Sequence, residues 1–209
     1  MRLMSKRLLI STLVLLTACG NPGSEGPIKS AGNQDICASR DGVKLGGPFD
    51  LVDHTGKAVT QDDYKGKPSL VFFGFTQCNT VCPPNLVRIN LAVEMLPDTV
   101  QKPRTIFVSV DPEHDTPETM ALYLTNNGFP KDMVGLTGTN EQVANAAKAF
   151  KVFYSKVKDD TSAAGYQYNH GTFTYLMDEN WDPVIFFMHN DSPEEMAACM
   201  AKKLPKAEG

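Results

Sequence analysis

Residues 69–87 read SLVFFGFTQCNTVCPPNLV, and this stretch decides the fold. Its first part, Leu70–Phe75, is a short apolar run rich in aromatic and β-branched residues, which predicts a strand buried on both faces of a sheet. Cys78 and Cys82 follow, and two prolines come directly after the second cysteine. Because proline lacks an N–H group and disfavours a helical residue before it, we expect Cys82 to be extended and a helix to begin near Pro83.

The two thiols of this stretch are suited to redox chemistry or to a soft metal. The Cys82 sulfur is expected at a helix N-terminus, where it should ionise more easily than a free cysteine, whose pKa is about 8.5. The sulfurs of Cys78 and Cys82 can meet in a disulfide or on one metal ion, and a metal site would need a third ligand from elsewhere. A disulfide that only stabilises the fold is the alternative, although it would close a minimal loop and gain little.

The first 19 residues have the pattern of an export leader. Arg2, Lys6 and Arg7 precede the apolar run Leu8–Ala18, which is too short to span a membrane comfortably, since about 20 residues are needed. Cys19 follows small residues, which resembles the lipobox of bacterial lipoproteins, where the signal is cut before a lipid-bearing cysteine. An uncleaved anchor and ordinary secretion are the alternatives. We therefore predict a signal peptide over 1–18, a lipidated N-terminus and flexible tether over 19–45, and a single domain over 46–209.

This leader places the domain at the periplasmic face of a membrane, in an oxidising compartment. The formal net charge of the chain is -4, and removing the three leader cations leaves -7, because residues 1–18 contain no acid. A mildly acidic domain with scattered cations gives no indication of nucleic-acid binding.

Strand and helix patterns alternate along the rest of the chain. Two short strand patterns, at 49–52 and 58–60, predict an N-terminal hairpin, and 105–110 predicts a second buried strand. Helix starts are indicated at Thr116, at Thr139 and at Ser192, and Gly128 is expected to close the first of these helices. Residues 158–169 read as a polar loop, and 173–177 with 184–187 as a closing hairpin. The order predicts an α/β fold, a thioredoxin-like three-layer sandwich with a central mixed sheet and an extra N-terminal hairpin.

A third ligand for the thiols is expected to be a histidine. His54 lies in a predicted turn and His189 follows a strand near the surface, so both are expected to be solvated. His114 lies in a loop at the carboxyl end of a strand, where sites gather in α/β folds, and His170 ends the predicted polar loop. Spacing alone does not choose between His114 and His170.

Five segments together are similar to the Sco/SenC family of copper-binding thioredoxin-fold proteins. They occur in matching order from Gly46 to the C-terminus, and they read GGPFDLVDHTGKAV, VFFGFTQCNTVCPPNL, IFVSVDPEHDTPETM, GLTGTNEQVANAAKAFKV and NHGTFTYLMD. The resemblance implies that Cys78, Cys82 and His170 bind copper. It also implies a membrane-tethered protein that serves assembly of the dinuclear copper centre of cytochrome c oxidase, by delivering copper, by keeping the target's cysteines reduced, or both.

The chain departs from the family pattern beside the implied ligands. Asn79 stands where proline is common, and Asn169-His170-Gly171 stands where Asp-His-Ser is common. An Asp beside the ligand can orient the site or balance its charge, whereas Asn169 keeps hydrogen bonding and loses the charge, a change that bears on the affinity for Cu(II). Asp111 and Asp115 match the acidic loop of the family, either beside the metal or as turn and cap residues.

Cys37 and Cys199 are the remaining cysteines. They can form a structural disulfide between the start of the domain and its last helix, or Cys199 can be a buried free thiol with Cys37 in the tether.

Three hypotheses for the function follow from these residues. The first is a copper chaperone, not an enzyme, whose partner is the copper-binding subunit of cytochrome c oxidase or another exported copper protein. The second is a thiol-disulfide oxidoreductase that attacks through Cys78 or Cys82. The third is a redox sensor in which the Cys78–Cys82 pair oxidises and changes a partner contact.

Overall fold

The computed structural model describes residues 35–40, 42, 45–162 and 164–207. The predicted signal peptide and Cys19 lie outside these residues. Within them, no helix combines the length and apolar character that crossing a membrane requires.

The predicted central strand is β3, Ser69–Gly74, and all six of its residues are buried. It pairs in parallel with β4, Arg104–Ser109, and antiparallel with β8, Thr174–Met177. A strand with neighbours on both sides and layers on both faces has no solvated side. This is why its sequence is continuously apolar instead of alternating.

The remaining strands extend the sheet on either side of this centre. They are β1 at Asp50–Asp53, β2 at Ala58–Thr60, β5 at Val134–Thr137 and β9 at Pro183–Phe187, and the order is β2-β1-β5-β4-β3-β8-β9. Both predicted hairpins are present, β1 with β2 and β8 with β9. Because β4 pairs in parallel with β5 while both hairpins are antiparallel, the sheet is mixed.

Three of the helices begin at the predicted caps. The helices are α1 at Ile36–Ser39, α2 at Cys82–Glu94, α3 at Pro117–Leu124, α4 at Asn140–Ala149 and α5 at Pro193–Lys203, with a short 3-10 helix at Gln61–Tyr64. Thr116, Thr139 and Ser192 each accept a backbone N–H bond at a helix start. Two boundaries differ from expectation: α3 ends at Leu124, before Gly128, and α2 starts at Cys82 itself.

Ring contacts show layers on both faces of the sheet. Phe72 and Phe107 point to one face, where Phe107 stacks on Tyr123 of α3 at 5.3 Å between ring centres. Phe73 points to the opposite face and lies 5.3 Å from Phe150, which follows α4. The architecture is a mixed sheet between two helical layers, which confirms the predicted α/β fold of the thioredoxin type.

A separate two-stranded ribbon lies outside this sheet. It consists of β6, Tyr154–Lys158, and β7, Tyr166–His170, paired antiparallel. The prediction of a polar loop over 158–169 is therefore wrong for its second half. Tyrosines alternate with polar residues along β7, and the ribbon is only partly buried, so its sequence lacks the apolar run by which buried strands are recognised.

The N-terminal segment is held to the last helix. Cys37 and Cys199 form a disulfide with Cα atoms 5.4 Å apart and a sequence separation of 162. Arg40 makes a two-pronged ion pair with the carboxylate of Asp191, and its guanidinium lies 5.3 Å from the centre of the Phe186 ring. The predicted structural disulfide is therefore present, and Cys199 is not a free thiol.

Candidate metal centre

Cys78 lies in the loop between β3 and α2, where backbone groups fix its position. Its N–H donates to the carbonyl of Phe75 at 3.1 Å, and its Sγ accepts the N–H of Cys82 at 3.3 Å. The donor is the first residue of α2, so the Cys78 sulfur faces the positive end of the helix dipole. Both Cys78 and Cys82 are free thiols.

Cys82 is placed more deeply, beneath the end of β3. Its side chain is fully buried. A Cβ atom added to Gly74 would lie only 2.8 Å from the Cys82 Sγ and 2.7 Å from the Phe107 ring. The absence of a side chain at Gly74 therefore provides the space that the second thiol occupies.

The two thiols differ in acidity, and in the opposite sense to the expectation. The Cys82 thiol and the N–H groups of Cys82 and Val81 donate hydrogen bonds that, against the effect of burial, lower the pKa of Cys78. Burial raises the pKa of Cys82, and the neighbouring Cys78 raises it further. The prediction that Cys82 is the easily ionised thiol is wrong, because its sulfur points into the core while Cys78 receives the helix N–H.

His170 is the last residue of β7, and its ring lies over the thiol pair. Its Nε2 is 3.7 Å from the Cys82 Sγ, and its Nδ1 is 3.0 Å from the carbonyl oxygen of Gly171. A carbonyl can only accept, so Nδ1 carries the proton and Nε2 presents its lone pair to the sulfurs. Edge-on contacts with Phe72 and Phe75, at 6.4 and 5.9 Å between ring centres, fix the plane of the imidazole.

The other three histidines lie away from this cluster. His54 accepts the backbone N–H of Gly135 through Nδ1 at 3.2 Å, so it is tied to the sheet instead of being solvated. His114 is exposed, with its Nδ1 3.3 Å from the hydroxyl of Tyr166. His189 is exposed, as expected. Of the two histidines between which spacing did not choose, His170 is the one that the fold brings to the thiols.

The ligand atoms of Cys78, Cys82 and His170 all lie within 4.8 Å of one another. Among the described residues, no other group of three or more His, Cys, Asp or Glu side chains is close enough to hold a metal ion. Two thiolates and an imidazole are soft to intermediate donors, so the set fits a copper ion and does not fit Mg²⁺ or Ca²⁺. A cavity of about 330 Å³, lined in part by Cys78, Val81 and His170, opens this cluster to solvent.

The Asn169 side chain contributes less to orienting His170 than the sequence indicated. Asn169 is exposed and paired with Ser155 across the ribbon, and the carbonyl of Gly171 is the group that orients His170. A backbone acceptor leaves no residue-type signal, so sequence reasoning could not have found it.

Asp115 supports the loop that carries Cys78. This fully buried carboxylate accepts the backbone N–H and the hydroxyl of Thr76, the latter at 2.6 Å, and the hydroxyl of Ser109 at 2.6 Å. It lies outside the group of ligand atoms, so in this structure Asp115 stabilises the loop and does not contact the metal position.

Known proteins resemble this chain in sequence and in fold. The family model described as SCO1/SenC matches residues 38–204. An SCO2-like protein of Rickettsia conorii is 36% identical over 187 residues, which cover 90% of this chain and 87% of the relative.

Two solved structures bear on the site. That of Bradyrhizobium japonicum ScoI with copper bound is 39% identical and covers 77% of this chain and 99% of its own, with a TM-score of 0.66. That of BsSco, a member of the Sco family of cytochrome c oxidase assembly proteins in which a disulfide switch was identified, is 25% identical. It covers 78% of this chain and 94% of its own, with a TM-score of 0.60.

Proposed function

The chain belongs to the SCO1/SenC family, and on that basis we propose that it is a copper chaperone that binds copper through Cys78, Cys82 and His170. Its task is to assist assembly of the dinuclear copper centre of cytochrome c oxidase, with the copper-binding subunit of that enzyme or another exported copper protein as partner. The observation that carries the proposal is the convergence of these three side chains from distant parts of the chain.

The three ligands have different roles in holding the cargo. Two thiolates suit Cu(I), and the imidazole nitrogen extends the set to Cu(II). Cys78 and His170 line the solvent cavity whereas Cys82 does not and is fully buried, so a partner's ligand would reach Cys78 and His170 first. Copper would then be transferred as the partner's ligands replace Cys78 and His170, and the bond to Cys82 would break last.

A copper titration of the reduced protein tests this function. We expect one copper per chain, and we expect His170→Ala to alter the Cu(II) absorption spectrum and weaken Cu(II) binding. His114→Ala is the matched control, because that ring is exposed and outside the cluster. Unchanged Cu(II) binding and spectrum in His170→Ala would refute the ligand assignment.

The unequal acidity of the two thiols favours a second function, that of a thiol-disulfide oxidoreductase. The Cys78 thiolate would attack a partner's disulfide to form a mixed disulfide, and Cys82 would displace the partner and close the Cys78–Cys82 disulfide. Two electrons pass to the partner, whose two sulfurs leave as thiols. Reductase activity that survives His170→Ala but is lost in Cys78→Ser would support this function over metal delivery. A redox sensor is the third candidate, and it requires neither copper nor turnover.

We also propose that the domain works outside the cytoplasm, at the periplasmic face, held by lipid on Cys19 after removal of residues 1–18. The lipobox-like sequence supports this anchor. The tether would end before α1 and not at residue 45, because Cys37 is bonded to Cys199 and the domain therefore begins upstream of the predicted boundary at 46. The protein should incorporate labelled fatty acid, and Cys19→Ala should abolish this incorporation. Equal incorporation in Cys19→Ala and the wild type would refute lipid anchoring at Cys19.

A further inference from the structure

The ribbon that carries His170 is joined to the rest of the domain by few elements. β6 and β7 pair with each other, and neither belongs to the seven-stranded sheet. A two-stranded hairpin alone is only marginally stable in water. Specific contacts must therefore hold the ribbon in place if the imidazole is to stay over the thiols.

Asp111 provides such a contact from the loop after β4. Its carboxylate is fully buried and accepts the hydroxyl of Tyr166 at 2.5 Å and that of Tyr168 at 3.3 Å. Both tyrosines lie on β7, two residues apart, and His170 is two residues further on. Since side chains two apart in a strand share a face, the face that Asp111 anchors is the face that presents His170.

Two further contacts reinforce this arrangement. The Tyr168 ring lies 5.4 Å from that of Phe75, whose carbonyl accepts the N–H of Cys78. Lys156 on β6 lies 4.0 Å from the centre of the Tyr166 ring and is ion-paired with Glu113 at 3.1 Å. The ion pair is exposed and contributes little, whereas a buried carboxylate deprived of its donors is costly. Asp111 is thus the principal anchor.

We propose that Asp111 is a positioning residue for the metal centre, acting through the hydroxyls of Tyr166 and Tyr168 to hold His170 within reach of the two thiols. The inference rests on the proposed role of His170 as a ligand. Asp111 does not belong to the group of ligand atoms, and its oxygens are engaged by the tyrosines, so it acts on the metal only through the ribbon.

The test removes the two hydroxyls and keeps the rings, in a Tyr166→Phe/Tyr168→Phe double variant. In the metal-free protein, amide hydrogen exchange across β6 and β7 should become about tenfold faster, since two hydrogen bonds are lost. Cu(II) affinity should fall by about the same factor, and Cu(I) affinity, which the thiols dominate, should change less than about threefold.

Two single variants serve as controls. Tyr154→Phe removes a hydroxyl from the same ribbon, where Tyr154 contacts Tyr168 ring to ring at 6.2 Å and is not a partner of Asp111. His114→Ala removes the other contact of the Tyr166 hydroxyl. Both should leave exchange in the ribbon and Cu(II) affinity as in the wild type.

Combining Asp111→Asn with the double tyrosine variant tests whether Asp111 acts through the hydroxyls. The combination should weaken Cu(II) binding no further than the tyrosine variant does. A clear additional loss would overturn the proposed route.

The remaining outcomes separate this inference from the proposed function. If the double tyrosine variant keeps wild-type exchange, or keeps wild-type Cu(II) affinity despite faster exchange, the positioning role fails. If His170→Ala also keeps wild-type Cu(II) affinity, the ligand assignment itself fails. Loss of Cu(II) affinity in His170→Ala alone would refute positioning and leave the proposed function intact.

Discussion

A single missing methyl group at Gly74 determines how deeply the Cys82 thiol lies. A Cβ atom there would approach both the Cys82 sulfur and the Phe107 ring more closely than side chains tolerate, and both neighbours are buried. We expect Gly74→Ala to displace the thiol and to lower the free energy of unfolding by about 1–3 kcal/mol, the usual cost of overpacking a core. Cu(I) affinity should fall in a competition titration, and denaturant unfolding of the metal-free protein measures the loss of stability.

Gly171→Ala is the control for this substitution. Gly171 is adjacent to His170, yet a Cβ atom there meets nothing within 4 Å. This variant should keep wild-type Cu(I) affinity and stability. If Gly74→Ala also binds Cu(I) like the wild type, space at Gly74 does not govern the position of the thiol.

The two cysteines should ionise separately in the reduced, metal-free protein. Hydrogen bonds from the Cys82 thiol and from the start of α2 lower the pKa of Cys78 to about 4, whereas burial raises the pKa of Cys82. Thiolate absorbance in the ultraviolet should therefore show one transition near the lower value and no second one until well above the ordinary thiol pKa of about 8.5. Simultaneous ionisation of both thiols near that ordinary value would contradict the asymmetry.

The same shift has a consequence for stability. Because the pKa of Cys78 is lower in the folded state than in the unfolded state, its thiolate stabilises the fold above the ordinary thiol pKa. That contribution is lost progressively as the pH falls towards about 4. Cys78→Ser should abolish the low-pH absorbance transition and remove this part of the pH dependence of unfolding.

Among the helices and strands, those with strong local signals were predicted correctly. The apolar run identified β3, and Thr116, Thr139 and Ser192 identified three helix starts, because capping depends on a few adjacent residues. β5 was missed, since four residues with a glycine among them give no strand pattern.

The geometry of the centre could be predicted only in part. Two thiols were evident from the sequence, but His170 meets Cys82 across a separation of 88 residues, so its choice depends on tertiary structure or on the family resemblance. The expected loop-borne histidine is in fact the end of a strand. Cys78, and not Cys82 as expected, has the lowered pKa because the Cys82 sulfur faces the core. The start of α2 at Cys82 itself determines this orientation.

The cap of α4 offers a change in stability without a change in the centre. Thr139 accepts the N–H of Gln142, whose side chain accepts the N–H of Thr139 in return. Thr139→Ala should lower the free energy of unfolding by about 1 kcal/mol, whereas Thr139→Ser keeps the oxygen and should cost less. Copper stoichiometry should remain that of the wild type in both. If Thr139→Ala lost copper binding under conditions in which it is fully folded, α4 would be shown to influence the site.

The domain as a whole is closed by contacts between its first and last described helices. The Cys37–Cys199 disulfide joins residues 162 positions apart, and Lys202 pairs with Asp35 at 3.0 Å beside it. The exposed ion pair contributes little, so the covalent link is the main constraint on the chain ends. A proposed tether attached at this point would pull on a segment that is anchored to α5.

Removal of this disulfide should destabilise the domain and leave the metal centre intact. Closing a loop of this length lowers the entropy of the unfolded chain by an amount equivalent to at most about 5 kcal/mol. The free energy of unfolding of Cys37→Ala/Cys199→Ala, measured with denaturant, should therefore be lower than that of the wild type by a large part of this amount. Copper stoichiometry below the transition should be unchanged, because Cys78 and Cys82 do not take part in the link. Reduction of a Cys78→Ser/Cys82→Ser protein is the control, since it opens the same link without altering its side chains. Equal unfolding of the variant and the wild type would show that the ion pairs and packing, not the disulfide, hold the ends together.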